Sequence, residues 1–143
     1  MLKKVEVFSY LAWAQAFLGM VGSLYFSEIA KLPPCNLCWY QRAAMYPLVF
    51  IITVGIIRKD YNYVWYSLPI AMVGLLIALF HNALYYGLIP APAFTCQDGI
   101  SCVSRQLEVF GFMTIPLLSL GGFSVIIVLS YLVIKYRSHE QRS

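Results

Sequence analysis

Charged residues are scarce in this sequence, and this scarcity limits what the protein can be. Of the 143 residues, only 11% are charged, whereas 61% are hydrophobic. A typical soluble domain has about 25% charged residues, so the composition excludes an ordinary soluble domain and indicates a small integral membrane protein. The sequence also lacks internal repeats, low-complexity segments and any shift in composition that would divide it. We therefore expect a single membrane domain over residues 1–143.

What the sequence does have is four long apolar stretches. A helix crosses a hydrocarbon core roughly 30 Å thick with about 20 residues. The stretches predict spans at roughly 8–27, 38–57, 64–86 and 114–134. The first is longer than the apolar core of a signal peptide, about 7 to 15 residues, and no A-x-A pattern follows it, so we expect it to be retained. The predicted fold is an all-α integral membrane protein, a four-helix transmembrane bundle.

The basic residues predict how the bundle is oriented. Three connections or ends on one side carry seven of the ten: Lys3, Lys4, Arg58, Lys59, Lys135, Arg137 and Arg142. Such a bias marks the cytoplasmic side, so both termini are predicted to be cytoplasmic. Because this bias also explains the net charge of +4, we expect a lipid bilayer around the chain and no nucleic acid partner.

Four cysteines form two close pairs, both in connections on the predicted outer side. Cys35 and Cys38 form a CxxC motif, and Cys96 and Cys102 are separated by five residues. Structural zinc needs four tetrahedral ligands, commonly as two close pairs. The wider second pair and the oxidising compartment outside the membrane favour disulfides over zinc. We predict no metal site.

The first pair is predicted to lie at the start of the second span. Pro33 and Pro34 cannot continue a helix, so the helix begins at Cys35 or directly after it. Cys38 is then in the first turn, where the helix dipole stabilises an anion by roughly 0.3 to 1 kcal/mol. Arg42 follows one turn later on the same face. Such electropositive surroundings are typical of reactive cysteines.

The second pair closes a small loop. A disulfide between Cys96 and Cys102 removes little chain entropy from the unfolded state, and small exposed loops favour oxidising disulfides. We interpret this pair as redox-active. After it, Val103, Leu107 and Phe110 share one helical face, which predicts a short interfacial helix in the second outer loop.

The two cysteine pairs on the predicted outer side lie at different depths, one in a loop and one at the start of a helix. This arrangement favours a different role for each pair. The loop pair is placed to meet a soluble thiol protein, and the helix pair to pass electrons into the lipid, where the two-electron acceptor is a quinone. Arg42 can donate hydrogen bonds to a quinone carbonyl, and Gln41 is a further candidate for this contact. His81, near the outer end of the third span, is another candidate. A helix-to-helix hydrogen bond is its structural alternative.

The motif PPCNLCWYQR at residues 33–42, the four spans and the second outer cysteine pair resemble the DsbB family of thiol:quinone oxidoreductases. The short second loop is similar to its BdbC-like branch. The resemblance implies an enzyme that reoxidises a DsbA-like (BdbD-like) thioredoxin-fold dithiol oxidase and so supports disulfide bond formation in exported proteins. It implies a bacterial cytoplasmic membrane, inner or sole, with the cysteines on the extracytoplasmic side.

The resemblance also implies a route for the electrons. The reduced partner attacks Cys96, Cys102 exchanges with Cys35, and Cys38 contacts the quinone, which is menaquinone or ubiquinone. The redox-active disulfides are then Cys35–Cys38 and Cys96–Cys102, with Arg42 lining the quinone site. The second pair is more closely spaced than in better-known members. Two possibilities stay open: Cys102 detaches to reach Cys35, or the whole loop moves.

Three other interpretations compete with this one. A vitamin K epoxide reductase-like enzyme is also a four-helix bundle, but there the CxxC motif opens the last helix, whereas here it opens the second. A nonenzymatic membrane protein with two structural disulfides and a metal-binding permease component are the alternatives from other classes. Metal analysis and redox titration separate them, because inert bridges have potentials below about −300 mV.

Overall fold

Four long helices dominate the computed structural model, which describes residues 2–31, 36–90, 108–109 and 113–142. Each is long and apolar enough to cross a membrane, which confirms the predicted four-helix membrane fold. The elements are α1 (Leu2–Glu28), α2 (Asn36–Arg58), a 3₁₀ turn (Tyr61–Tyr63), α3 (Val64–Tyr85), β1 (Glu108–Val109), β2 (Met113–Thr114) and α4 (Ile115–Arg142).

The helices pack around the bundle in chain order. Each consecutive pair is in contact, and α4 closes the bundle against α1. The ring of Tyr136 stacks on Phe8 with centroids 5.5 Å apart, and the Lys4 ammonium lies 5.6 Å from the centroid of the same ring. The start of α1 and the end of α4 therefore lie at one end of the bundle.

The connection between α2 and α3 lies at this same end. Arg137 Nη1 donates a 2.7 Å hydrogen bond to Asn62 Oδ1, and Asn62 belongs to the 3₁₀ turn between those helices. The basic residues that predicted the cytoplasmic side thus share one end of the molecule. The start of α2, with Cys38, lies at the other. That the basic end faces the cytoplasm stays a prediction.

The core is made where large side chains of two helices meet small residues of a third. Leu48 and Ile52 of α2 and Phe123 and Ile126 of α4 are fully buried. A Cβ atom on Gly74 of α3 would lie only 2.3 Å from Phe123 Cε1. Because glycine leaves that space free, α3 and α4 approach closely here, as small residues allow in membrane bundles.

The outer surface of the bundle is as apolar as its core. Phe50 is 67% exposed and Leu76 is 61% exposed. The residues on either side of each in the sequence are also apolar. In a membrane these side chains contact lipid tails, which are as apolar as leucine. Apolar residues consequently lie on both the core-facing and the lipid-facing sides of the helices.

The predicted interfacial helix is wrong at the residues where it can be checked. Glu108–Val109 form β1, which pairs antiparallel with β2 in the register Glu108↔Thr114 and Val109↔Met113. Residues 103–107 and Phe110 lie outside the described ranges. The prediction of a helix rests on the spacing of apolar residues alone. In the structure, Glu108–Val109 pair with Met113–Thr114, and this pairing satisfies their backbone polar groups locally. The Thr114 hydroxyl then caps α4 by accepting a 3.4 Å bond from the Leu117 N–H.

Candidate functional site

Cys38 is the cysteine that the structure describes, and it lies in the first turn of α2. The helix begins at Asn36, which confirms the prediction that it starts at or directly after Cys35. Cys35, Cys96 and Cys102 lie outside the described ranges, so the roles predicted for them stay predictions. A first-turn position places Cys38 near the positive end of the α2 dipole.

Arg42 connects α2 to the end of α1. Its Nη2 donates a 2.9 Å hydrogen bond to the Ser23 carbonyl and a second bond to Ser27 Oγ. The guanidinium carbon lies 5.4 Å from the Trp39 ring centroid, within the range of a cation–π contact. The Nε atom is buried and has no hydrogen-bond partner among the described residues. Arg42 is therefore held through Nη2, while the N–H groups of Nε and Nη1 remain available.

A partly open cavity of about 270 Å³ lies between α1, α2 and α4. Three residues predicted for the site line it together: Cys38, Gln41 and Arg42. The rest of its wall is largely apolar and rich in glycine, including Gly19, Gly22, Met45, Tyr46, Leu118 and Gly122. The cavity thus combines a thiol and charged or amide donors at one end of α2 with an apolar wall.

Gln41 and His81 form a buried pair between α2 and α3. The Gln41 Nε2 atom lies 3.3 Å from His81 Nδ1, and the two residues are 7% and 3% exposed. The Gln41 amide nitrogen can donate to His81 Nδ1 when that ring nitrogen carries no proton. Gln41 lines the cavity, whereas His81 does not. The structure thus shows the helix-to-helix hydrogen bond that was the alternative for His81.

Asn82 joins the ends of α3 and α4 that face this site. Its Nδ2 donates 2.8 Å bonds to the carbonyls of Ala78 and Pro116. Pro116 is the second residue of α4, next to Ile115 in the cavity wall. The start of α4 is thereby fixed relative to α3.

Sequence reasoning missed the residues that α1 contributes. Ser23 and Ser27 hold Arg42, and Gln15 lines the cavity from the middle of the span. Side-chain polarity is the signal that could have found Gln15 and Ser27, because polar side chains inside a membrane span tend to face the protein interior. Ser23 offers no such signal, since Arg42 bonds its backbone carbonyl.

The family and the known proteins to which this chain is similar are all named for disulfide formation. The family model "Disulfide bond formation protein DsbB" matches residues 6–134. The chain is 44% identical over 133 residues to "Probable disulfide formation protein C 1" of Bacillus cereus, covering 93% of this chain and 96% of that protein. It is 42% identical over 131 residues to "Disulfide bond formation protein C" of Bacillus subtilis, covering 89% and 92%.

A third relative is "Probable disulfide formation protein C" of Halalkalibacterium halodurans, 39% identical over 135 residues, with 94% of this chain and 98% of that protein covered. No solved structure matches the chain significantly. The family match includes α2 and α3 completely, most of α1 and α4, and every residue that lines the cavity. The chain therefore belongs to the DsbB family of disulfide bond formation proteins, as a bacterial multi-pass membrane protein and a thiol-disulfide oxidoreductase.

Proposed function

We propose that this protein transfers electrons from a DsbA-like (BdbD-like) thioredoxin-fold dithiol oxidase to a membrane quinone. By reoxidising that partner it supports disulfide bond formation in exported proteins. The observation that carries the proposal is the cavity between α1, α2 and α4, in which Cys38, Gln41 and Arg42 line one apolar space. A thiol of this kind needs an acceptor in direct contact, because thiol exchange cannot hand electrons to a distant group.

The cavity suits a quinone ring in size and in chemistry. An apolar cavity of about 150 Å³ holds a benzene molecule, so 270 Å³ accommodates one substituted ring but not its long isoprenoid tail, which stays in the lipid. The buried Arg42 Nε has no partner among the residues that the structure describes, and a ring carbonyl can accept its hydrogen bond. Bound here, a quinone supplies the capacity to take up two electrons and two protons.

The residues of the cavity have distinct roles in this proposal. Cys38 supplies the thiolate, which the α2 dipole and the nearby guanidinium stabilise. Arg42 is held by Ser23 and Ser27 through Nη2, so its other N–H groups are positioned without loss of further side-chain freedom. Gln41 offers its amide to the ring, and His81 positions Gln41 through the 3.3 Å bond.

Electrons and protons balance at each exchange. The partner's dithiol reduces the Cys96–Cys102 disulfide and becomes a disulfide itself. The Cys96 and Cys102 thiols then reduce the Cys35–Cys38 disulfide and re-form their own bond. Finally Cys35 and Cys38 close their disulfide, while two electrons and two protons go to the quinone. One partner disulfide is produced for each quinol.

The charge distribution supports the orientation that this route needs. Lys4 and Arg137 mark the end of the bundle opposite Cys38. Positively charged connections remain in the cytoplasm, so we propose that the Cys38 end faces the outside, where the thioredoxin-fold partner is found.

Anaerobic turnover tests the proposed function. Purified protein in detergent receives an excess of reduced thioredoxin-fold oxidase, with or without a short-chain quinone. With quinone, we expect one partner disulfide for each quinol formed. Without it, oxidation should stop after two partner dithiols per chain, because the enzyme then holds only its two disulfides. Oxidation that continues at the full rate with oxygen and no quinone would show the acceptor to be wrong.

A Cys102→Ser variant tests the order of the cysteines. In this variant the Cys96 thiol can attack the disulfide of the oxidised partner, which forms a mixed disulfide and releases one partner thiol. Without Cys102 the second pair cannot re-form its own disulfide and expel the partner, so this complex should accumulate. Non-reducing electrophoresis and mass spectrometry of the linked peptides identify the cysteine involved. Cys96→Ser is the matched control and should trap no partner on the second pair. A partner found on Cys35 in the Cys102→Ser variant would reverse the assignment of the two pairs.

A further inference from the structure

Gln15 is a polar residue in the middle of α1 that the electron route does not use. It lies within the candidate membrane span Lys3–Glu28, where a side-chain amide without a partner is costly. Its side chain lines the same cavity as Cys38 and Arg42. Among the described residues, no group forms a hydrogen bond with the Gln15 amide.

The position of the Gln15 amide is fixed by the neighbouring helix. A Cβ atom on Gly122 of α4 would lie 3.4 Å from Gln15 Nε2, so the amide packs directly against the α4 backbone. The Gln15 side chain therefore lies between the cavity that it lines and the α4 backbone at Gly122.

Gln15 and Arg42 occupy different levels of the cavity. Arg42 is held by Ser23 and Ser27, and Ser23 follows Gln15 by eight residues, or about 12 Å along a helix axis. Gln15 is therefore the deeper polar group, and Arg42 the shallower. A quinone has carbonyl oxygens on opposite sides of its ring, so a site with one donor at each level matches both of them.

We propose that Gln15 is a second quinone-binding residue, which holds the ring carbonyl remote from Cys38 and Arg42. The inference rests on the proposed quinone reduction. A glutamine amide donates to a carbonyl through its NH₂ group and accepts from a hydroxyl through its oxygen. It can therefore bind the oxidised and the reduced ring alike, whereas Arg42 can only donate. Gln15 orients the ring, and its loss weakens binding without changing which redox state is favoured.

A Gln15→Leu variant tests this proposal through quinone binding. The dissociation constants of a short-chain benzoquinone and of menadione are measured by quenching of tryptophan fluorescence. Loss of one neutral hydrogen bond should raise both constants roughly 2- to 12-fold. Gln15→Met, unbranched like glutamine, is measured in parallel and should give the same increase, so a packing defect specific to leucine is recognised.

Ser130→Ala is the matched control. The Ser130 hydroxyl is buried in a membrane helix and has no hydrogen-bond partner among the described residues, and Ser130 is not part of the cavity wall. Its removal should change quinone binding less than twofold. A loss of affinity in Ser130→Ala equal to that in Gln15→Leu would mean that removing any buried polar group has this effect, and would overturn the proposal.

Infrared difference spectra give a readout independent of affinity. With quinone labelled by ¹³C at one carbonyl, both carbonyl bands should be shifted from the free position in the unchanged protein. Gln15→Leu should return one band to the free position and leave the other shifted.

Failure of the inference differs from failure of the proposed function. Unchanged bands and unchanged binding in Gln15→Leu, in a protein that reduces quinone, would overturn the role of Gln15 alone. If the unchanged protein binds neither quinone, the proposed function and the role of Gln15 both fall.

Discussion

Replacing Cys38 with serine is expected to reduce quinone reduction to the uncatalysed background. A serine hydroxyl cannot form a disulfide with Cys35, so electrons arriving from the second pair have no route to the cavity. Loss of a reacting group of this kind costs on the order of 10⁴-fold or more in rate. The measurement is anaerobic reduction of a short-chain quinone by the reduced partner, followed by absorbance.

Met45→Leu is the matched control for Cys38→Ser. Met45 contributes the other sulfur atom of the described cavity wall, but a thioether takes no part in disulfide exchange. Its replacement by an apolar residue of similar volume should leave the rate within about threefold, because volume-conserving changes are tolerated best. Quinone reduction by Cys38→Ser at a rate near that of the unchanged protein would place the reacting thiol elsewhere.

The spectrum provides a second measurement of the same role. In Cys35→Ser, Cys38 has no disulfide partner in its pair and is expected to remain a thiolate at the start of α2. A thiolate in contact with a bound quinone should give a visible charge-transfer band. Addition of quinone should produce this band in Cys35→Ser and not in Cys38→Ser. The same band in both variants would show that it does not originate at Cys38.

Replacing Arg42 with methionine is expected to raise the quinone KM by roughly 10- to 150-fold. The estimate follows from the 1.5–3 kcal/mol that hydrogen bonds to charged groups contribute. Methionine keeps much of the length of the side chain but removes every N–H donor, including Nε, which has no partner among the described residues, and both bonds to α1. The KM is measured with saturating reduced partner, and thermal stability is measured on the same samples.

Two further variants separate binding from anchoring. Ser27→Ala removes one of the bonds that hold Arg42 but leaves Nε in place, so it should lower stability and raise the KM much less than Arg42→Met. Arg42→Lys keeps the charge but loses the forked geometry, so it should restore only part of the affinity. An Arg42→Met protein with an unchanged KM and a lowered melting temperature would make Arg42 an anchor between helices and nothing more.

The sequence predicts well those features of the fold that depend on position along a single helix. The thickness of the membrane fixes the length of each span, and the prolines before Cys35 fix the start of α2 at Asn36. The position of Cys38 in the first turn, with Arg42 one turn later, follows directly from that start. These features depend on spacing along one helix, which a single sequence contains.

Which face of each helix packs against which neighbouring helix could not be predicted in the same way. Leu48 is completely buried, whereas Phe50, two residues away, is 67% exposed, and both are apolar. Since lipid and core both accept apolar side chains, the sequence pattern does not say which face of a helix meets which neighbour. The bonds from Arg42 to Ser23 and from Gln41 to His81 depend on that choice.

The hydrogen bond between Asn82 and the Pro116 carbonyl limits the reach of the second cysteine pair. By fixing the end of α3 to the start of α4, it gives the connecting loop two anchored ends. Six residues lead from Pro90 to Cys96, and six from Cys102 to Glu108. Six residues span at most about 20 Å, so chain length alone keeps Cys96 within that distance of Pro90 and Cys102 within that distance of Glu108.

A tether of this length has a kinetic consequence. A short linker raises the effective concentration of the groups that it carries into the millimolar range, provided that it can span the distance. Under the proposed function, the short spacing within this loop leads us to expect that Cys96 and Cys102 encounter Cys35 often. We also expect the thioredoxin-fold partner to approach the membrane surface closely when it is oxidised.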